Sequence, residues 1–303
     1  MTLKSSPPRT TWKHVAEVGS TWGMRLLIWI SRILGRPTAR ALLYPIALYY
    51  MIVHRKARTA SIAYLRRMSL PTTFSSIYYH FLTFAQCTLD KLYFLSSQYN
   101  HFYIVRSGEE HLIKLKREKK GALLLCAHVG ASEAMRSSGI QEGLRLNIVT
   151  FSGNAQMINH VIHSINPSAR TRMVELSEDG LGAVFQIKEL IEQGELVAIM
   201  GDRAGFGPVT RVRFLNSTIE IPTGPYMLAS AIGCPVYLTF GLYFPPNRYQ
   251  LYCEPFSERI VVPRKFRKEA LENWGQQFAT RLEHYCKSAP YNWFNFYDVW
   301  INV

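Results

Sequence analysis

At 303 residues the chain is long enough to bury a sizeable core, and 48% hydrophobic against 18% charged residues excludes a disordered protein. The net charge of +14 is not evenly spread: residues 1–70 hold twelve Lys/Arg and one acid, Glu17, which is +11 of the total. Basic residues interleaved with apolar runs point to an anionic membrane surface, and the near-neutral remainder, with no recognition motif, argues against nucleic acid.

The N-terminus opens with Pro7 and Pro8 and turns apolar only near Trp22, which does not make a cleavable signal peptide. Apolar runs follow at 26–30 and 41–53, with Arg32, Arg36 and Arg40 between them and Pro45 inside the second. A spanning helix needs roughly 20 apolar residues, so this segment reads as a hairpin packed on the protein or a monotopic element in the membrane interface. Tyr44, Tyr49 and Tyr50 would then sit at headgroup level, and a single short span stays open as a third arrangement. Residues 57–99 carry apolar positions at three- and four-residue steps (Ile62, Leu65, Met68; Ile77, Phe81, Phe84), with Pro71 separating two helices.

From about residue 102 the texture changes. Strand-like runs at 122–127, 146–151, 173–176, 196–200, 211–215, 235–243 and 249–256 alternate with helical patterns at 131–140, 154–165, 179–193, 223–232 and 266–287. Continuously apolar strands alternating with helices predict an α/β fold with a mostly parallel central sheet flanked by helices. The expected organisation is a helical, membrane-facing segment over 1–100 and a catalytic domain over 101–303.

Five scattered cysteines, odd in number and without a CxxC, give no disulfide framework and suggest a reducing compartment. His160 and His163 form a lone HxxH with no third donor, so neither a metal nor another cofactor is expected.

The richest stretch runs from Gly121 through ALLLCA to His128, Gly130, Ser132 and Glu133. An apolar strand delivers His128 to its carboxyl end, where open α/β sheets bind ligands, and Gly130 allows a tight turn into a helix. Glu133, in the first helical turn, is placed to accept the second N–H of the ring, which makes His128 a candidate general base. A core or capping histidine is the plainer alternative. No nucleophile signature is present: GxSxG and SxxK are missing, and Cys126 and Ser132 read as a core residue and a helix cap. Asp202 and Arg203 end a second apolar strand in a Gly-flanked loop, and Thr223 and Gly224 precede a helix whose N-terminal amides suit an anionic group.

With these motifs the chain from Gly121 onward resembles the lysophospholipid acyltransferase superfamily, and within it the late acyltransferases of lipid A biosynthesis. The match is carried by His128-x4-Glu133 after a strand, by the strand ending in Asp202-Arg203, and by Thr223-Gly224 leading to Gly233-Cys-Pro235-Val. The closing Trp293-Phe-Asn295-Phe-Tyr-Asp298 is similar to acyltransferases associated with aryl-polyene lipids.

The resemblance implies a glycerol-3-phosphate acyltransferase-like fold and a catalytic His128–Glu133 dyad. It implies an acyl carrier protein or coenzyme A thioester donor, a membrane lipid or glycolipid acceptor, and the cytoplasmic face of a bacterial inner membrane. It further implies that Asp202 helps shape the acceptor side of the site; Arg203, by its own chemistry, suits a phosphate or an oxyanion, with a surface turn carrying a local ion pair as the plainer alternative. The family's central arginine is matched only by Arg170 or Arg172. Arg264, Lys265, Arg267 and Lys268, or the lysines of 114–120, would offer an acidic carrier a docking face, though such runs are commonly solvated helix faces. A non-catalytic lipid-binding protein and a lipid hydrolase are the competing functions on the same scaffold.

Overall fold

The structure, a computed structural model, describes residues 29–31, 33–151, 172–176, 181–205 and 207–301. The apolar run at 41–53 lies in helix α1 (Gly35–Val53), which presses Ala39, Leu43, Ala47 and Met51 inward. Helix α2 (Arg55–Arg67) ends on Arg66 and Arg67, which complement its carboxyl-terminal dipole. Pro71 then breaks the chain, and Thr73 caps helix α3 (Phe74–Leu95) by accepting from the Ser76 amide at 3.3 Å.

Asp90 of α3 is fully buried and takes a two-pronged ion pair from Arg36 of α1, at 2.8 and 2.9 Å, plus the Tyr249 hydroxyl at 2.8 Å. This pair, with the apolar stripe of α1, joins the first helix to the rest of the protein. Ala39, Leu43, Tyr64, Ile77 and Phe81 share one apolar core with Leu123, Leu125, Val197 and Phe278.

Strand β1 (Tyr103–Ser107) leads to helix α4 (Glu109–Glu118), then strand β2 (Ala122–Gly130) and helix α5 (Ser132–Gln141). Strands β3 (Leu146–Phe151) and β4 (Arg172–Leu176), helix α6 (Leu181–Glu192) and strand β5 (Leu196–Met200) follow. Next come β6 (Val209–Phe214), β7 (Ser217–Pro222) and helix α7 (Gly224–Ile232). Strands β8 (Val236–Phe244) and β9 (Arg248–Ser257), helix α8 (Arg267–Ser288) and the short β10 (Trp300–Ile301) complete the order.

The seven-stranded sheet runs β1-β9-β8-β2-β5-β3-β4 and is parallel at every step except β8–β9. This is the mostly parallel, helix-flanked α/β architecture expected from the sequence. A second, three-stranded antiparallel sheet, β10-β7-β6, was not anticipated. Its hairpin turns at Leu215-Asn216, both with positive φ (50° and 58°), the conformation that matches the twist of a two-residue hairpin. The helical pattern at 154–165 lies outside the described residues, as do His160, His163 and Arg170.

Candidate active site

Register alone brings two of the expected residues together. Strand β2 pairs in parallel with β5 so that Ala122 faces Leu196 and Cys126 faces Met200. Two residues further along, His128 near the end of β2 therefore meets Asp202, just past the end of β5, at the carboxyl edge of the sheet. Between Cys126 and Gly130 the pairing of β2 with β8 shifts register, a local irregularity of the kind that re-aims side chains beside sites. Gly130, at φ +61°, is required here: a Cβ would lie 2.0 Å from the Gly241 carbonyl oxygen.

The imidazole Nδ1 of His128 hydrogen-bonds Asp202 Oδ1 at 2.7 Å, and the His128 amide donates to Oδ2 at 3.1 Å. The Trp293 indole N–H (3.2 Å) and the Asn295 amide (3.0 Å) also donate to Oδ2. Burial alone would push the Asp202 carboxyl up, but His128, its hydrogen bonds and Arg203 outweigh that and hold it at about 2. An ionised carboxylate can only accept, so the ring proton sits on Nδ1 and Nε2 carries the lone pair. Burial, with the Arg203 charge, lowers the His128 pKa from its ordinary value, and Asp202 opposes them. The ring is neutral near pH 7, in the tautomer a base requires.

The ring N–H expected to go to Glu133 goes instead to Asp202, through Nδ1. The Glu133 carboxylate instead forms an ion pair with Lys91 of α3 and accepts the Ser132 hydroxyl at 3.0 Å. Burial raises its pKa, but Lys91 and Arg136 overcome that and leave it lowered. Ser132 is the first residue of α5, and Ala131 occupies the cap position.

Asp202 is only 2% exposed and lies under the ring rather than on a substrate surface, so the acceptor contact expected of it is replaced by support of His128. Arg203 donates from Nε to Asn295 Oδ1 (2.6 Å) and from Nη2 to the Phe294 carbonyl (3.0 Å). Thr223 gives its hydroxyl to the Pro208 carbonyl at 3.0 Å. A Cβ at Gly224 would meet nothing within 4 Å, so packing does not require that glycine. Neither Thr223 nor Gly224 lines the cavity at His128. Arg172 begins β4.

A cavity of about 280 Å³ lies along one face of the sheet beside His128. Its ionisable members, Lys91, His128, Glu133 and Arg136, gather at the carboxyl end of β2 and on the adjoining helices. Most of the rest is apolar, including Leu124 of β2, Leu146 and Ile148 of β3, Ala198 and Met200 of β5, and Met135 of α5, with the hydroxyls of Ser132, Thr150 and Thr239 among them. These strand residues alternate, so the same pleat that turns Leu123, Leu125 and Val197 into the core turns these toward the cavity. Cys126 is also on the wall, its thiol held by Thr239 Oγ1 at 2.9 Å and pushed up to about 11 by burial, which leaves it a protonated, poor nucleophile at neutral pH. Lys91, Arg136, Trp293 and Asn295 were not anticipated as members of the site. Among the described residues no cluster of three or more His, Cys, Asp or Glu could hold a metal ion.

A strand-end histidine paired with a buried aspartate, beside a largely apolar cavity, defines an α/β protein with a candidate acid–base site. Residues 91–301 match the model of the bacterial lipid A biosynthesis acyltransferases, and the chain belongs to that family. It is therefore an acyltransferase, of a family that uses an acyl thioester donor and a lipid acceptor and is associated with membranes. No curated protein matches the chain. Among the described residues, no helix is long and apolar enough to cross a membrane.

Proposed function

We propose that the protein moves a fatty-acyl chain from a thioester of acyl carrier protein or coenzyme A directly onto a hydroxyl or amine of a membrane lipid or glycolipid, with His128 as general base. The observation that carries this reading is the tautomer-fixed imidazole at the end of an apolar cavity. That cavity is roughly twice the ~150 Å³ that stays dry and binds benzene, so it suits an alkyl chain.

In this reading Nε2 of His128 takes the acceptor proton as the acceptor oxygen or nitrogen attacks the thioester carbonyl. The tetrahedral intermediate collapses, the carbon–sulfur bond breaks, and the imidazolium returns the proton to the departing thiolate. A thioester is already electrophilic and both substrates are held together, so no covalent acyl-enzyme is needed. Asp202 fixes the tautomer and stabilises the imidazolium. Glu133 holds Lys91 at the charged end of the cavity, where the polar parts of the substrates would lie.

The test is thiol release from an acyl thioester with and without lipid acceptor. Release should depend on acceptor, fall by about a hundred- to ten-thousandfold in His128→Ala, and leave the intact mass of enzyme incubated with donor alone unchanged. Equal release without acceptor would make the protein a hydrolase. No release under either condition, with His128→Ala indistinguishable from the parent in lipid binding, would make it a binding protein.

The placement at the cytoplasmic face of a bacterial inner membrane is proposed as monotopic, through α1. While Leu43, Ala47 and Met51 of that helix face the core, Ile46, Tyr49, Ile52 and Val53 are exposed, with Tyr49 at 60% and Ile52 at 55%. A helix apolar on both faces with protein on one favours a membrane on the other. Arg55, Lys56 and Arg58 continue the chain beyond it and suit anionic headgroups. Changing Tyr49 and Ile52 together to Glu should lower partitioning onto vesicles containing anionic phospholipid at least tenfold, because burying each apolar side chain contributes about 1.5–3 kcal/mol. Unchanged flotation would remove α1 from the contact.

A further inference from the structure

The segment after α8 crosses the site as a strap. Its Trp293 forms an isolated antiparallel bridge with Val129, and the Phe294 amide donates to the His128 carbonyl at 2.9 Å. Asn292 holds both backbone groups of Tyr243 on β8, accepting at 2.7 Å and donating at 3.1 Å. The Tyr64 hydroxyl of α2 donates to the Pro290 carbonyl at 2.8 Å. His80 of α3 bonds the Trp293 carbonyl through Nε2 at 2.9 Å and Ser61 through Nδ1, also at 2.9 Å. Burial pushes His80 down to about 4, so it stays neutral and its Nε2–H donates. The strap is thus fixed by β2, β8, α2 and α3, while its two inward N–H donors meet on a single carboxylate oxygen.

We infer that Trp293 and Asn295 are positioning residues of the acyl transfer: their N–H groups hold Asp202 against His128 and thereby set the pH at which the base becomes available. The inference rests on the reading of His128 as general base. With the His128 amide they satisfy Oδ2, leaving Oδ1 for the ring. Arg203, bonded to Asn295 Oδ1, orients that amide so that its NH2 group faces Asp202. Neither Trp293 nor Asn295 lines the cavity, so their effect on catalysis passes through Asp202.

The charges facing the ring are Asp202, Arg203 and Lys91, and the titratable groups around Asp202 also include Cys126, Cys286 and Tyr297, all raised by burial and neutral. Each donor draws charge from the carboxylate. Removing one leaves more negative charge for the imidazolium to answer and raises the proton affinity of the pair.

The test is the pH dependence of kcat/KM for Trp293→Phe, which keeps a ring but loses the N–H, and Asn295→Asp, which keeps the Arg203 contact but sets a second carboxylate against the first. The parent limb should lie on the acid side of the ordinary histidine value. Trp293→Phe should move it to higher pH by about half a unit to one unit, and Asn295→Asp by more, with kcat reduced roughly three- to thirtyfold and KM for the thioester unchanged.

Imidazole nitrogen shifts give an independent readout. Above the limb His128 should be the Nδ1–H tautomer in parent and variants alike, and its conversion to imidazolium should move to higher pH in the variants by the same amount as the limb. A strap that is merely structural would lower the melting temperature and the active fraction while leaving the limb of the residual activity and the imidazolium midpoint in place. That result overturns the inference. Full transfer by His128→Ala would be a separate failure, that of the base itself.

Discussion

Asp202→Asn is expected to lower kcat by about a thousand- to ten-thousandfold with little change in KM. The cause is a tautomer, not a lost charge alone. Three donors converge on Oδ2, from the His128 amide, Trp293 and Asn295, so an asparagine must put its carbonyl oxygen there. Its NH2 group then occupies the Oδ1 position, 2.7 Å from Nδ1, and can only donate. The ring is driven to accept at Nδ1 and carry its proton on Nε2, the nitrogen that should abstract one. An aspartate-to-asparagine change behind a catalytic histidine acts this way in the serine protease triad, at about 10⁴ in kcat. Glu133→Gln should be milder, since that carboxylate serves Lys91 and Ser132. Steady-state rates decide between the two carboxylates. If Glu133→Gln were nearly silent and Asp202→Asn within tenfold of the parent, the supporting role would return to Glu133.

Obstructing the cavity should change which chains are transferred. Ala198 lines the wall between Leu196 and Met200 on β5, and Leu124 at the deeper end is four strand residues from His128, about 13 Å at 3.3 Å per residue. A phenylalanine at 198 would remove the seat of three or four methylenes. At about 0.8 kcal/mol each that is roughly 3 kcal/mol, or about a hundredfold in kcat/KM for a long-chain thioester relative to a short one. Competition between two donor lengths, read by mass spectrometry of the product, measures the ratio. An unaltered preference in a folded variant would place the chain elsewhere.

The sequence carried the strands better than their neighbours. Runs such as ALLLCA and LVAIM are apolar because they are buried on both faces, and they were recognisable for that reason. That each ends in a polar residue was also visible. Their adjacency was not, because β2 and β5 pair across 74 residues with β3, β4 and α6 between them, and local pattern does not encode strand order.

Glu133 looked like the partner because it is five positions from His128; the structure gave it to Lys91, on a helix whose placement nothing near Glu133 in sequence reveals. The strap was noticed as a motif, yet its bonds to Asp202 span 91 and 93 residues and leave no spacing signal. Elements with little burial were missed: α4 buries only Leu112 and Leu115, and β1 is largely exposed.

The clasp between Arg36 and Asp90 bears on how the protein can be shortened. The family match begins at residue 91, inside α3 and one position past Asp90. Trimming at that point would cut a helix mid-way and discard Tyr64 and His80, two of the four anchors of the strap. Trimming only the first 55 residues would spare the strap but leave the buried Asp90 without its guanidinium. Removing one member of a buried ion pair typically costs about 3–5 kcal/mol, comparable to the whole stability of many proteins. A soluble fragment is better sought by recolouring the outer face of α1 with polar side chains than by cutting, since the inner face of that helix is part of the same core that holds β2 and β5 in register.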